Sequence, residues 1–251
     1  MSSGRRLTAE GIGTALLLAG VVGSGIMGER LAGGNVALAL LANTLATGAV
    51  LVALIVAFGP ISGAHLNPVV TLADAWQGGL PWRDVPGYLV VQVGGAFAGV
   101  ATAHLMFGEP LFVLSHHARS GIPQLWSEFV ATFGLLAVIR GSGRQRTGAL
   151  PLAVGAYIAA AYWFTASTSF ANPAVTLARA TTDTFTGIRP ADAPGFILAQ
   201  ALGATAATGL FSWLVPAPAK TRPGVTASAA AAGTQGPGRT PQRTAQAVVE
   251  Q

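Results

Sequence analysis

The chain has 251 residues, of which 51% are hydrophobic and only 9% are Asp, Glu, Lys or Arg; a soluble domain carries about 25% charged residues. Mean hydropathy is +0.56, so an ordinary soluble enzyme is excluded. Cysteine is absent, which removes a disulfide scaffold, a thiolate metal site and a cysteine nucleophile. The net charge is +5, but the basic residues fall in short loops and a tail, a membrane distribution that argues against nucleic acid as a partner.

Charge is missing from residues 11–28, 31–73, 85–108, 147–178 and 193–219. A membrane-spanning helix needs about 20 mainly apolar residues. The pattern predicts six spans, at 8–28, 36–59, 85–107, 122–140, 149–168 and 193–214. Arg5 and Arg6 before the first apolar run resemble the start of a signal peptide, but no small-residue cleavage site is evident and five spans follow, so the segment reads as a retained helix. With the N-terminus inside, ten Lys and Arg residues fall on the cytoplasmic side and four (Arg30, Arg119, Arg179 and Arg189) on the other. The positive-inside rule then places both termini in the cytoplasm; the expected location is the inner cell membrane. Residues 1–215 read as one membrane domain. Residues 216–251, rich in Ala, Thr, Pro, Gly and Gln, read as a disordered tail.

Two stretches are too short to span, at 65–75 and 171–181. Each holds Asn-Pro, Asn67-Pro68 and Asn172-Pro173. Asn is a good N-cap and Pro is at home in the first helical turn, so each stretch predicts a half-helix. Such backbone is tolerated at membrane depth only where protein buries it or water lines it.

The two halves, about 8–107 and 122–214, repeat each other. Glu10-x-x-x-Thr14 with Leu17-Leu18 matches Glu128-x-x-x-Thr132 with Leu135-Leu136. Asn67-Pro68-Val69-Val70-Thr71-Leu72-Ala73 matches Asn172-Pro173-Ala174-Val175-Thr176-Leu177-Ala178. Pro86-Gly87-Tyr88 with Gln92 and Gly95-Ala96 matches Pro194-Gly195-Phe196 with Gln200 and Gly203-Ala204. The offsets are 118, 105 and 108 residues. Three matches in order indicate duplication. Three spans per half force the second half to enter upside down, an inverted repeat. The predicted fold class is an all-α membrane protein of six transmembrane helices and two re-entrant half-helices. Their N-termini meet near the midplane, where two positive dipole ends repel cations and two Asn amides offer donors to a neutral molecule.

These residues resemble the aquaporin, or major intrinsic protein, family. Ser62-Gly63-Ala64-His65-Leu66-Asn67-Pro68-Val69 resembles its first Asn-Pro-Ala box, with Val69 for Ala; Asn172-Pro173-Ala174 resembles the second. The resemblance implies a homotetramer in the bilayer, each protomer passing water and small neutral solutes without a cofactor. It also implies that Glu10 and Glu128 hold the pore-loop backbone. The family's outer constriction carries an Arg directly after the second Asn-Pro-Ala; here that position is Val175. Ungapped spacing from each Asn puts the other constriction positions at Thr47, Ala160 and Ser169. None is a bulky aromatic, so the expected filter is wide and Arg-free. It suits glycerol, urea or metalloid hydroxides such as arsenite, and the Val is similar to that of bacterial channels associated with arsenic resistance.

Several residues carry two readings. Glu10 and Glu128 are proton carriers or structural carboxylates; the first would fit an ion- or proton-coupled secondary transporter, the competing function. His65 is a pH sensor or a hydrogen-bonded support of the pore loop. His116 and His117 are metal ligands or a solvated loop. Arg179, one turn beyond Val175, lines the outer vestibule or meets lipid headgroups or a neighbouring loop. Gln92 and Gln200 read as interhelical hydrogen-bonders, Gly94, Gly95 and Gly99 as packing positions, and Trp76, Trp82 and Trp126 as interface anchors. No metal constellation, nucleophile–base pair or phosphate loop is present in the sequence, so enzymatic chemistry is not expected.

Overall fold

The computed structural model describes residues 1–142 and 148–214. The predicted tail, Arg144 and Arg146 lie outside the described residues. Within them are eight α-helices: α1 Ser3–Leu31, α2 Val36–Ser62, α3 Pro68–Trp76, α4 Val85–Phe107, α5 Ile122–Ser142, α6 Leu150–Phe164, α7 Pro173–Arg179 and α8 Ala193–Leu214. Five of the apolar helices are long enough to cross a bilayer. In lipid, a helix satisfies every backbone group internally, so apolar runs of this length have little alternative. We call the side on which α1 begins and α8 ends the terminal face, and the opposite side the distal face.

The fifth span is shorter than expected. α6 has 15 residues, about 22 Å of helix, and stops at Phe164 instead of near 168. Thr165 turns extended (φ −111°, ψ 139°). Its hydroxyl donates to the Ala161 carbonyl at 2.6 Å, satisfying one of the helix's terminal acceptors. The chain then turns from Thr165 into the second pore loop.

The packing has the symmetry of a duplication. α1 packs on α2 and α4; α5 packs on α6 and α8. Gly95 meets the Gly11 carbonyl so closely that any Cβ would collide with it, and Gly203 meets the Phe129 carbonyl in the same way. Both pairs are related by the repeat offsets. Gly99 likewise abuts the Ala15 carbonyl, whereas Gly94 faces outward with nothing near it and is not a packing position. The half-helices are exchanged between the halves. Val69, Val70 and Ala73 of α3 join the core of α5, α6 and α8. Ala174, Val175 and Ala178 of α7 join the core of α1 and α4. Each half therefore needs the other to cover its short helix.

Candidate pore and its two mouths

Each pore loop begins in strain. Ala64 and Leu66 have φ of 47° and 50°, and Ser169 and Ala171 have φ of 51° and 48°. These residues lie three and one before each Asn. A left-handed conformation costs a non-glycine residue about 1–2 kcal/mol, and it persists only where its surroundings over-determine it. The buried carboxylates do that. Glu10 accepts from the His65 amide at 2.9 Å and the Leu66 amide at 2.7 Å. Glu128 accepts from the Phe170 and Ala171 amides, both at 2.9 Å. Gln92 bridges Glu10 to the Thr71 hydroxyl, and Gln200 bridges Glu128 to that of Thr176. The Ser62 hydroxyl also donates to Glu10, at 2.7 Å.

The two Asn residues then cap their helices and tie the loops together. Asn67 Oδ1 accepts from the Val69 amide at 3.1 Å. Asn172 Oδ1 accepts from Ala174 at 3.0 Å and Val175 at 3.3 Å. Asn67 Nδ2 donates to the Ala171 carbonyl, and Asn172 Nδ2 donates to the Leu66 carbonyl, each at 2.8 Å. Pro68 and Pro173 occupy the first helical position, where no N–H is needed. One N–H of each amide group is committed to the opposite loop, so one donor per Asn is left for a solute.

A cavity of about 460 Å³ passes these Asn residues. Arg6, His65 and Asp74 line it toward the terminal face, and Thr47, Ser169, Val175 and Arg179 toward the distal face. Ala160 does not line it. Ala160 is exposed on the outer surface of α6, and Val154, Ile158 and Tyr162 face the cavity instead. Residues four apart share a helix face, and a position two residues away lies on the opposite one; ungapped counting overlooked where α6 ends. The expectation that no aromatic borders the narrow region is corrected with it. Tyr162 and Phe170 both line the cavity, and the Tyr162 hydroxyl donates to Thr47 Oγ1 at 3.3 Å.

The mouths use equivalent positions differently. Two residues before and seven after the first Asn stand His65 and Asp74, with His65 Nε2 3.6 Å from the Asp74 carboxylate. His65 Nδ1 lies 3.1 Å from Thr71 Oγ1, and its ring leans on Tyr88. Arg6 reaches both the Tyr88 hydroxyl and Asp84. At the same places around the second Asn stand Phe170 and Arg179. The Arg179 guanidinium carbon sits 3.4 Å from the Phe170 ring centroid, and its Nε donates to the Thr186 carbonyl. Arg179 is 2% exposed and therefore does not reach lipid headgroups. Arg119 approaches the same ring, at 5.1 Å, and donates to the Gly187 carbonyl at 2.7 Å. Sequence reasoning placed Arg119 only in an outer loop, and nothing local marks it, because its partners lie some 50 to 70 residues away. His116 lies on the distal surface and binds Asp183 through its amide at 2.8 Å and its ring at 2.9 Å. These two bonds, the amide's first, hold the Asp183 carboxyl below the usual carboxylate range.

Paired Asn-capped half-helices inside an inverted repeat have a counterpart among known proteins. The major intrinsic protein profile matches residues 1–169. The chain belongs to the major intrinsic protein family. This is a family of membrane channels and not of enzymes. The chain is 56% identical over 211 residues to the aquaglyceroporin AqpS of Rhizobium meliloti, a match covering 84% of this chain and 90% of that one. It is 35% identical over 179 residues to aquaglyceroporin-3 of Trypanosoma brucei brucei, covering 61% and 57%. The aquaglyceroporin structure from Plasmodium falciparum superposes with a TM-score of 0.67 at 20% identity, covering 86% of this chain and 98% of that one, which establishes the shared fold. Membership of the family makes this a multi-pass membrane protein.

Proposed function

We propose that this major intrinsic protein is a passive channel for water and small neutral solutes, with an Arg-free constriction that admits glycerol and metalloid hydroxides such as arsenite. The observation that carries this reading is the cavity past Asn67 and Asn172, in which Val175 stands directly after the second Asn-Pro-Ala. Val is shorter than Arg and donates nothing, so the lumen there is wider and uncharged. The constriction we assign consists of Thr47, Tyr162, Ser169 and Val175. Hydroxyls of Thr47 and Tyr162 beside the apolar Val175 suit a polyol, which presents oxygens on one side and carbon on the other. The names of the relatives in Rhizobium meliloti and Trypanosoma brucei brucei, both aquaglyceroporins, agree with this.

In this reading Glu10, Glu128 and His65 support the pore loops. A coupled transporter would need a carboxylate free to take up an ion or proton at the midplane. Glu10 and Glu128 instead have both oxygens engaged by backbone amides and by Gln92 and Gln200. The functional unit is a homotetramer in the inner membrane with both termini cytoplasmic; residues 1–215 form the channel and 216–251 a separate tail.

Stopped-flow light scattering on proteoliposomes tests the filter. Val175→Arg is expected to cut glycerol permeability about tenfold or more while water permeability stays within a few-fold, because a guanidinium would fill part of the lumen. Undiminished glycerol flux in the inserted variant would sink the assignment of Val175.

A further inference from the structure

Among the described residues Arg179 is the largest of the fully buried side chains, and it lines the cavity. Among the described residues no carboxylate lies within ion-pair distance of Arg179 or Arg119. An ionisable group at membrane depth is costly and is retained where it does something. Structure alone explains only part of Arg179. Its Nε is spent on the Thr186 carbonyl and its face on Phe170, but among the described residues Nη1 and Nη2 have no hydrogen-bond partner. Arg119 differs: its Nε, Nη1 and Nη2 all donate to loop oxygens, and it does not line the cavity. Glu128 has its oxygens engaged by two amides and Gln200 and makes no ion pair with either guanidinium among the described residues. The distal mouth therefore carries two guanidinium charges about one aromatic ring, one of them open to the lumen.

We propose that Arg179 is the charge-selecting residue of this channel: lying flat against Phe170, one helical turn from Val175, it repels cations at the distal mouth without narrowing the constriction. Size and charge are thereby separated. Thr47, Tyr162, Ser169 and Val175 set the width, and Arg179 sets the sign of what passes. A guanidinium at the position of Val175 would do both at once and close the lumen to larger solutes. Stacking on a ring face favours the cation and holds the side chain against the wall. This assignment rests on the channel reading above and deepens it.

Urea and the guanidinium ion are the probe pair, since they match in shape and size and differ in charge. Influx of each into proteoliposomes holding the full chain is followed by light scattering, with water permeability as the insertion control. The wild type is expected to pass urea and to hold guanidinium at the level of protein-free vesicles. Arg179→Gln is expected to raise guanidinium influx about tenfold or more while urea changes less than about threefold. Arg179→His supplies a readout that a purely structural role would not move: guanidinium should stay out at acid pH and enter as pH rises and the imidazole loses its charge, a transition that burial and the Arg119 charge move below the ordinary histidine value. Guanidinium entering the wild type as fast as urea overturns the proposal. So does an inserted, water-conducting Arg179→Gln with wild-type guanidinium exclusion; if that variant does not insert, a flat pH profile in Arg179→His does so. Absence of urea and glycerol flux in the wild type would overturn the channel reading itself, and this assignment with it.

Discussion

The first pore loop, from Ser62 to Trp76, and the second, from Ser167 to Arg179, are held by the same bonds and end in different chemistry. In each, a serine hydroxyl takes the amide two residues on, a buried glutamate takes the next two amides, and an Asn reaches across to the other loop. The change in charge lies at the residues two before and seven after the Asn: His65 with Asp74 in one, Phe170 with Arg179 in the other. The same exchange extends to the neighbour, Tyr88 against Phe196, each meeting the first residue of its pair at 5.4 Å and 5.3 Å. The positions that bond to backbone kept their identity through the duplication, because each change there orphans a buried group. The positions two before and seven after the Asn changed, and put a His–Asp pair at the terminal mouth and a guanidinium on an aromatic ring at the distal one.

The largest expected effect comes from breaking the shared part. Glu10→Ala leaves two backbone amides, a serine hydroxyl and a glutamine amide without their acceptor, a loss of about 3–5 kcal/mol by analogy with removing one partner of a buried charge. Glu128→Ala orphans one donor fewer and should be milder by about 1 kcal/mol. Melting temperatures in detergent would rank the two, and equal losses would mean that the Ser62 bond contributes nothing. Next come the paired helix contacts. Gly95→Ala and Gly203→Ala each push a methyl into a facing carbonyl, at about 1–3 kcal/mol, and the duplication predicts similar drops for both. A smaller effect is expected from Asp74→Asn. The carboxylate is about a third exposed and 3.6 Å from His65, so the pair contributes little to stability, and glycerol flux should change less than about twofold. The smallest effect lies at the distal surface. Asp183 has its folded pKa lowered by the His116 amide and ring, so its contribution is full above the ordinary carboxylate pKa and disappears as pH falls through the lowered one. Asp183→Asn should therefore differ slightly from the wild type at pH 7 and converge with it only as pH falls below the lowered pKa.

The sequence by itself determined the spans, the half-helices, the duplication and the family, and for one physical reason. Apolar runs, Asn-Pro caps and repeated spacings are local, and in lipid a local apolar run has few choices besides a helix. It also placed Glu10, Glu128, Gln92 and Gln200 in equivalent positions before any contact was visible. Tertiary structure alone decided the lining of the pore. Ala160 turned outward and Tyr162 inward because α6 ends at Phe164, a boundary set by the descending loop rather than by hydropathy. Arg119 came to Phe170 from a loop 51 residues earlier in the chain. Arg179, the last residue of α7, lies over the ring of Phe170, nine residues earlier in the chain. Which charges face a lumen depends on how distant segments close around it, and no local pattern records that closure.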